Sequence, residues 1–425
     1  MRQPYLPRVV DLELDDLLTG LPAISLEGPK GVGKTATAVR RARTVVRLDD
    51  PDVREIIGAD PERMVVGATP ILIDEWQRLP ESWDRVRRAV DMDRTPGRFL
   101  LTGSATVRPG ATHSGAGRIV TLRMRPLTLS ERARQTPTVS IAGLLSGERP
   151  DVRGQTTMIL GDYAEEIVGS GLPGLRGASG RVARAAMDGY LDRIVEVDFP
   201  ELGRTVRNPA ALRRWMRAYA AANSTTATFE TIRAAATAGH GDKPTRATVQ
   251  PYLDALERLW IIDPVPAWLP TGGALRRLAG SPKHQLADPA LAARLLGATV
   301  DTLLDAHPVP PPIPRDGTLL GALFESLITL EVRVAAQAAE ARVGHLRTKG
   351  GEHEVDLIVE RADQRVVAIE VKLARTVGDG DVRHLRWLAG QLGDQLLDAL
   401  IVTTGGEAYR REDGVAVVPA ALLGP

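Results

Sequence analysis

Apolar positions along the chain follow two rhythms. Short runs that are apolar throughout, each closed by polar or small residues, read as buried strands. Residues 22–27 run into Gly28, 71–73 end in Asp74-Glu75, and 99–101 end in Thr102-Gly103-Ser104. Stretches of helical character, 36–46 and 81–91, lie between them. Strands alternating with helices predict an α/β domain on a doubly wound parallel sheet. A Gly-rich stretch at 103–117 reads as a mobile loop.

Residues 160–222 read as mostly helical, with Tyr190, Ile194 and Val197, then Leu212, Trp215 and Tyr219, at helical spacing. A short helix at 229–238, a Gly-containing turn, a helix opening at Thr245 and a strand-like 259–263 resemble a winged-helix module. The proline-rich run 308–314 can form neither helix nor central strand and reads as an extended linker. The expected organisation is an α/β domain over 1–140, a helical lid or connector over 141–225, and a winged-helix-like segment over 226–307. A linker at 308–316 and a second α/β domain over 317–425 complete it. No internal repeat is evident.

Length adds that 425 residues exceed one ordinary domain, and 43% hydrophobic with 25% charged residues is a globular mix. The absence of cysteine excludes disulfides, thiol catalysis and cysteine-ligated zinc. No apolar run approaches the roughly 18–20 residues of a membrane span, and the N-terminus lacks a signal-peptide core, so a cytoplasmic protein with no membrane partner is expected. The net charge of +1 is uneven. Residues 101–220 hold 17 Arg and no Lys against 11 acidic residues, whereas 317–425 hold 12 basic and 16 acidic. A nucleic-acid footprint is therefore better sought in the middle of the chain. Only six of the 54 basic residues are lysines, which draws attention to each one.

Gly28-Pro29-Lys30-Gly31-Val32-Gly33-Lys34-Thr35 matches G-x-x-x-x-G-K-[ST] in full, after a strand and at a helix start that continues through Ala36. Its glycines let successive N–H groups point at phosphate oxygens. Lys34 is expected at the β- and γ-phosphates of ATP and the Thr35 hydroxyl on Mg²⁺. Asp74 at the end of an apolar strand would hold Mg²⁺ through water, and Glu75 would polarise the attacking water. Thr102 and Ser104 either lie between these motifs and sense the γ-phosphate or form an ordinary strand-to-loop turn. Arg118 is a candidate arginine finger donated to a neighbouring copy in a homo-oligomer.

Farther on, Glu325 is a single acid on an otherwise apolar helix face, followed by the strand-like 353–360 and 366–372 around a turn at 361–365. If that turn is symmetric about Asp363, Asp356 faces Glu370, with Cβ atoms about 4.5–5.5 Å apart, and Lys372 shares the face. Opposed carboxylates call for positive charge between them, which Mg²⁺ or Mn²⁺ would supply. A two-residue turn would break the pairing and leave a surface hairpin of mixed charge. His353 reads as a solvated turn residue, and Trp260 and Trp387 as core aromatics.

In this order the motifs resemble bacterial and archaeal AAA-type ATPases that carry a C-terminal domain of unknown function of the PD-(D/E)xK nuclease-like class. The residues are the P-loop, Asp74-Glu75-Trp76-Gln77, Leu101-Thr102-Gly103-Ser104 and Gly117-Arg118, with the segment from Arg125-Pro126 to Ser130-Glu131 and Gly171-Leu172-Pro173. Asp288, Phe324-Glu325, Arg347-Thr348-Lys349, Glu354-Val355-Asp356 and Glu370-Val371-Lys372 complete them. The resemblance implies an AAA-like P-loop fold and a restriction-endonuclease-like C-terminal domain. It further implies Asp356 and Glu370 as metal ligands, Lys372 positioning water or phosphate, and Glu325 as a further ligand. Lys30 stands where the family's loop is expected to carry Arg, and the proline-rich insertion at 308–314 also departs from it.

Three function classes follow. The leading one is an ATP-hydrolysing protein coupled to a Mg²⁺-dependent nuclease-like domain acting on DNA. The second is a nucleotide-dependent DNA-binding regulator whose nuclease fold is silent. The third is a toxin–antitoxin-like protein with a protein partner. The helix at 245–258 offers DNA only Arg246 and Arg258 as arginines, while its Val249, Leu253 and Leu256 look like core packing.

Overall fold

Of the five strands of the first sheet, those at 23–27, 71–74 and 99–103 are buried along their whole length, as strands covered on both faces must be, and the two edge strands are partly exposed. A computed structural model describes residues 5–104, 115–202, 208–237, 246–270, 280–305, 313 and 317–425. The chain separates into two units, one of residues 1–126, 172–174 and 254–261, the other of the remainder. The centre of the Gly-rich loop, the turn before the second expected winged-helix helix with Thr245, and the linker at 308–312 and 314–316 lie outside the described residues.

In the first unit, β1 (Ala23–Glu27), β2 (Thr44–Arg47), β3 (Ile71–Asp74), β4 (Phe99–Gly103) and β5 (Val120–Arg123) take the order β2-β3-β4-β1-β5, all parallel. Helices α1 (Val9–Leu18), α2 (Lys34–Val39), α3 (Pro51–Ala59) and α4 (Glu81–Met92) accompany them. Ile24, Leu26, Leu72, Ile73, Leu100 and Leu101 are wholly buried. The expected helix over 36–46 is corrected: α2 stops at Val39, and the β-branched Thr44-Val45-Val46 pair with Ile71-Leu72-Ile73. The Arg41 guanidinium donates to Thr37 O at 3.0 Å and Asp11 O at 3.0 Å, which ties off the helix end. Tertiary pairing thus outweighs a weak helical pattern.

The second unit holds a seven-stranded sheet and a two-stranded one. The strands are β6 (Val139–Ser140), β7 (Gly154–Gln155), β8 (Arg342–Arg347), β9 (Glu354–Glu360), β10 (Val366–Val371), β11 (Leu396–Thr403), β12 (Glu407–Arg410), β13 (Ala416–Pro419) and β14 (Leu423–Gly424). Their orders are β7-β12-β13-β11-β10-β9-β8 and β14-β6. Helices α5 (Ile141–Ser146), α6 (Leu160–Val168), α7 (Gly180–Arg193), α8 (Phe199–Glu201), α9 (Pro209–Ala221) and α10 (Phe229–Thr237) precede α11 (Arg246–Arg258), whose last residues belong to the first unit. Then come α12 (Pro289–Leu295), α13 (Val300–Leu304), α14 (Leu319–Ala338) and α15 (Arg383–Leu392). The 20-residue α14 buries Leu323, Phe324, Leu327 and Ile328 completely. On the sheet, Leu346, Val355, Ile358, Val366 and Ile401 form one core with Leu385 and Leu388 of α15.

Several motif residues prove to be structural ties within this unit. Asp288 caps α12 through Ala290 N at 3.0 Å and accepts from Ser170 Oγ at 2.6 Å and Gly171 N at 2.8 Å. Glu331 of α14 accepts from Ser130 N at 3.0 Å and Ser130 Oγ at 2.6 Å. The strand expected at 259–263 is corrected as well. Leu259 and Trp260 form a turn, with Trp260 at φ +61°, and Ile262 makes a lone bridge to Leu286. Pro264 and Pro266 lack the N–H a ladder needs. Val249, Leu253 and Leu256 are buried, in line with the core reading of α11. Among the described residues no helix is long and apolar enough to cross a membrane.

Candidate functional sites

Because β4 lies between β1 and β3, the C-terminal edge of the first sheet brings the P-loop, Thr102 and Asp74 side by side. Ligands of open α/β sheets bind at that edge. The loop at 28–33 needs its glycines for different reasons. Gly31 and Gly33 adopt φ of +77° and +108°, and a Cβ on Gly28 would lie 2.1 Å from Met124 O. Lys34 is buried, and its ammonium donates to Gly28 O at 2.8 Å and Pro29 O at 2.9 Å. Burial draws Lys34 down to about 8 despite the opposing pull of Glu75, Asp74 and Glu27. Burial also lifts Glu27 to about 7, against its hydrogen bond from Ser25 and the charge of Lys34. Lys30 and Val32 lie on the loop, and Ala36 is exposed on α2.

The Thr35 hydroxyl donates to Asp74 Oδ1 at 2.7 Å, and the Thr102 hydroxyl donates to the same oxygen. Thr102 Oγ1 in turn accepts from Glu75 N at 3.2 Å. Glu75 sits at φ +56°, a sharp left-handed exit from β3 that costs a non-glycine residue energy. That turn sets the Glu75 carboxylate within hydrogen-bond reach of Ser104 Oγ at 3.2 Å and Gln77 Nε2 at 2.5 Å. Thr35, Asp74, Glu75, Thr102 and Ser104 thus form one bonded group. Gln77 links Glu75 to Ser104 as well, through Nε2. A hydroxyl and a carboxylate oxygen side by side are the hard donors Mg²⁺ prefers, so these residues fit that ion. Arg118 pairs with Asp91, Nε to Oδ1 at 2.8 Å.

In the second unit, β9 and β10 pair Glu360 with Val366 through Leu357 with Ile369, around a turn at 361–365. The next pair in this register sets Asp356 opposite Glu370. Asp356 Oδ2 accepts from Val371 N at 2.9 Å, and Glu370 Oε2 pairs with Lys372 Nζ at 3.2 Å. A residue not anticipated dominates the cluster. Lys283, 1% exposed, puts its ammonium 2.9 Å from Glu325 Oε1, 3.1 Å from Asp356 Oδ1 and 3.4 Å from Glu354 Oε1. Arg347 takes the other Glu354 oxygen at 3.2 Å. Burial would lift Asp356, but Lys283 and Lys372 hold it below the usual carboxylate range. Burial and the Asp356 charge push Glu370 well above that range.

Most of the donors here are already engaged, while Glu370 Oε1 is buried without a hydrogen-bond partner. The Asp356 oxygens and one oxygen each of Glu325 and Glu354 already face Lys283 or an N–H, and among the described residues no group of three or more His, Asp or Glu is arranged to hold a metal. Lys283 and Lys372 supply positive charge beside Asp356 and Glu370, the pair between which Mg²⁺ or Mn²⁺ was expected. The cluster opens on a cleft of about 1010 Å³ also lined by Thr225, Thr228, Arg347, Arg383 and His384. His353 is corrected from a solvated turn residue: it stacks on Trp387, centroids 4.0 Å apart, with its Nδ1 3.4 Å from Nδ1 of His384. Trp260 is half-buried, with the Arg123 guanidinium 4.5 Å from its ring centroid. Scarcity of lysine singled out Lys283 as a residue type, but nothing local in sequence tied it to acids 42 to 73 positions away.

Comparison with known proteins agrees with the first site. The AAA domain family matches residues 21–133, and two domains of unknown function, DUF8612 and DUF4143, match 160–302 and 320–423. An uncharacterized protein of Mycobacterium tuberculosis and one of Mycobacterium bovis are each 29% identical over 408 residues, covering 94% of this chain and 80% of the relative. Among solved structures, a Walker-type ATPase of Pyrococcus abyssi aligns at 16% identity and TM-score 0.38, over 67% of this chain and 94% of its own. The ORC2 protein of Aeropyrum pernix aligns at 18% identity and TM-score 0.30, over 71% and 96%. Residues 21–133 thus match the AAA domain family and carry, on a parallel sheet, the full P-loop and adjoining acidic strand end of a P-loop nucleotide-binding domain.

Proposed function

We propose that the chain binds ATP with Mg²⁺, hydrolyses it, and uses the turnover to drive a nuclease-like C-terminal domain acting on DNA. The observation that carries hydrolysis is the bonded group Thr35–Asp74–Thr102–Glu75. In this reading Lys34 binds the β- and γ-phosphates, Thr35 and Asp74 hold Mg²⁺, and Glu75 orients and deprotonates the attacking water. Mg²⁺ supplies neutralisation of the charge that develops on the transferred phosphoryl group. Thr102 and Ser104 sense the γ-phosphate, and Arg118 acts in trans once released from Asp91 in a homo-oligomer. Residues 141–225 serve as a helical connector and 226–307 as a winged-helix-like segment.

The order α14, β8, β9, β10, α15, β11, with Glu325 on the first helix and Asp356 and Glu370-Val371-Lys372 on the hairpin, supports a restriction-endonuclease-like fold. One observation favours the second reading, a nucleotide-dependent DNA-binding regulator or toxin–antitoxin-like partner protein with a silent nuclease fold. It is the ammonium of Lys283 among the carboxylates. Cleavage of circular and linear DNA with Mg²⁺ or Mn²⁺, with and without ATP, tests both, using wild type, Lys34→Ala and Asp356→Ala. Cleavage lost in Asp356→Ala with ATPase retained establishes the nuclease. No cleavage by an ATPase-active wild type leaves the regulator.

A further inference from the structure

The cation that meets Asp356, Glu354 and Glu325 together does not come from the strands and helix that carry these acids. Lys283 lies on a segment whose backbone is fixed on both sides: Lys283 N donates to Val265 O and Val265 N to Lys283 O, each at 2.9 Å. The partner segment is bound to β8 in turn, through His345 N to Pro266 O at 3.0 Å and Trp268 N to His345 O at 2.7 Å. The His345 ring, fully buried, bonds Ser281 O through Nε2 at 2.9 Å. Five hydrogen bonds therefore aim one lysine across the edge of the sheet into the acids.

We propose that Lys283 is a resident cation of the carboxylate cluster and excludes a divalent metal from Asp356, Glu354 and Glu325 for as long as its segment stays bridged to Val265. The geometry argues this on three grounds. The ammonium touches an oxygen of each of these acids, so a metal that bound them at about 2.0–2.6 Å would need the same volume. Both Asp356 oxygens already have a donor, Lys283 Nζ on one and Val371 N on the other, so a metal would have to compete with each. The arrangement is also close to neutral, because Lys283, Lys372 and Arg347 face Glu325, Glu354, Asp356 and Glu370. The proposal goes beyond the functional reading and holds whether or not the domain cleaves DNA. Under the nuclease reading it makes Lys283 an autoinhibitory plug that must withdraw before metal enters.

The test reads metal occupancy rather than cleavage, so its failure is separate from failure of the nuclease reading. Mn²⁺ binding to the full nucleotide-free chain is followed by electron paramagnetic resonance and by the shift in melting temperature, for wild type, Asp356→Asn, Lys283→Met and Lys283→Met/Asp356→Asn. The expected result is no Mn²⁺ binding by wild type that Asp356→Asn removes. Lys283→Met should gain roughly one Mn²⁺ per chain, bound at least about tenfold more tightly than by wild type and raising the melting temperature, and lose it again in the double variant. Removing one partner of a buried ion network destabilises it, so Lys283→Met/Glu325→Gln, which removes an acid with the lysine, provides a second background. Mn²⁺ binding by wild type that depends on Asp356 overturns the proposal. So does a folded Lys283→Met, or its Glu325→Gln companion, that gains no site.

Discussion

Raising the pH from about 7 to about 9 should weaken nucleotide binding roughly tenfold, because burial holds the Lys34 ammonium of the free protein at about 8. Phosphate oxygens favour the charged form, so binding above that value must first take up a proton. The sign follows. Affinity is full below about pH 8 and falls as pH rises through it, by a factor of one plus ten to the power of the difference between pH and pKa. That factor is about 1.1 at pH 7 and about 11 at pH 9, a ratio worth about 1.4 kcal/mol. A lysine at its ordinary value of about 10.4 would change affinity by only about 4% over the same range. Titration of a fluorescent ATP analogue with excess Mg²⁺ at fixed ionic strength measures the ratio. Lys34→Ala should bind weakly at every pH and show no such slope. Glu27, lifted to about 7 by burial, titrates at the low end of the range, and Glu27→Gln separates its share. A wild-type dissociation constant flat to within twofold between pH 7 and 9 would refute the burial argument for Lys34.

Other expectations follow from single contacts. Thr102→Val keeps side-chain shape but removes the hydroxyl joining Asp74 Oδ1 to Glu75 N, so steady-state ATPase turnover should fall about 10- to 100-fold, with ATP affinity changed less than about threefold. Gly28→Ala puts a methyl 2.1 Å from Met124 O, so the loop must shift and equilibrium titration should show ATP affinity reduced at least about tenfold. Glu166→Leu removes the carboxylate that Arg132 Nη1 meets at 2.9 Å in the interior. The stranded charge should cost about 3–5 kcal/mol, seen as a melting temperature lower by roughly 10 °C. Burial would raise Glu166, but Arg132 and Arg176 hold it low, so the pair's contribution is present above about pH 4 and is lost as pH falls through the lowered value.

Local pattern determined a good deal of this protein. The P-loop is legible because phosphate binding demands a fixed spacing of glycines, lysine and hydroxyl within eight residues. The strands at 22–27, 71–73 and 99–101 are legible because a strand buried on both faces must be apolar throughout. The pairing of Asp356 with Glu370 was legible only on the condition of a turn symmetric about Asp363, a condition the observed register of β9 and β10 meets. Sequence was misleading where local preference was weak. The stretch Thr44-Val45-Val46 became a strand only because β3 was there to pair with it. Residues 259–263 failed as a strand because Leu259 and Trp260 turn the chain, with Trp260 in the left-handed region. His353 was placed by Trp387, 34 positions away. Tertiary structure alone decided what neutralises the C-terminal acids. A buried carboxylate cluster requires positive charge, and sequence could state that requirement, but whether a metal or a lysine meets it depends on which distant segment crosses the sheet edge. Here Lys283 does, because two backbone bonds to Val265 aim it there.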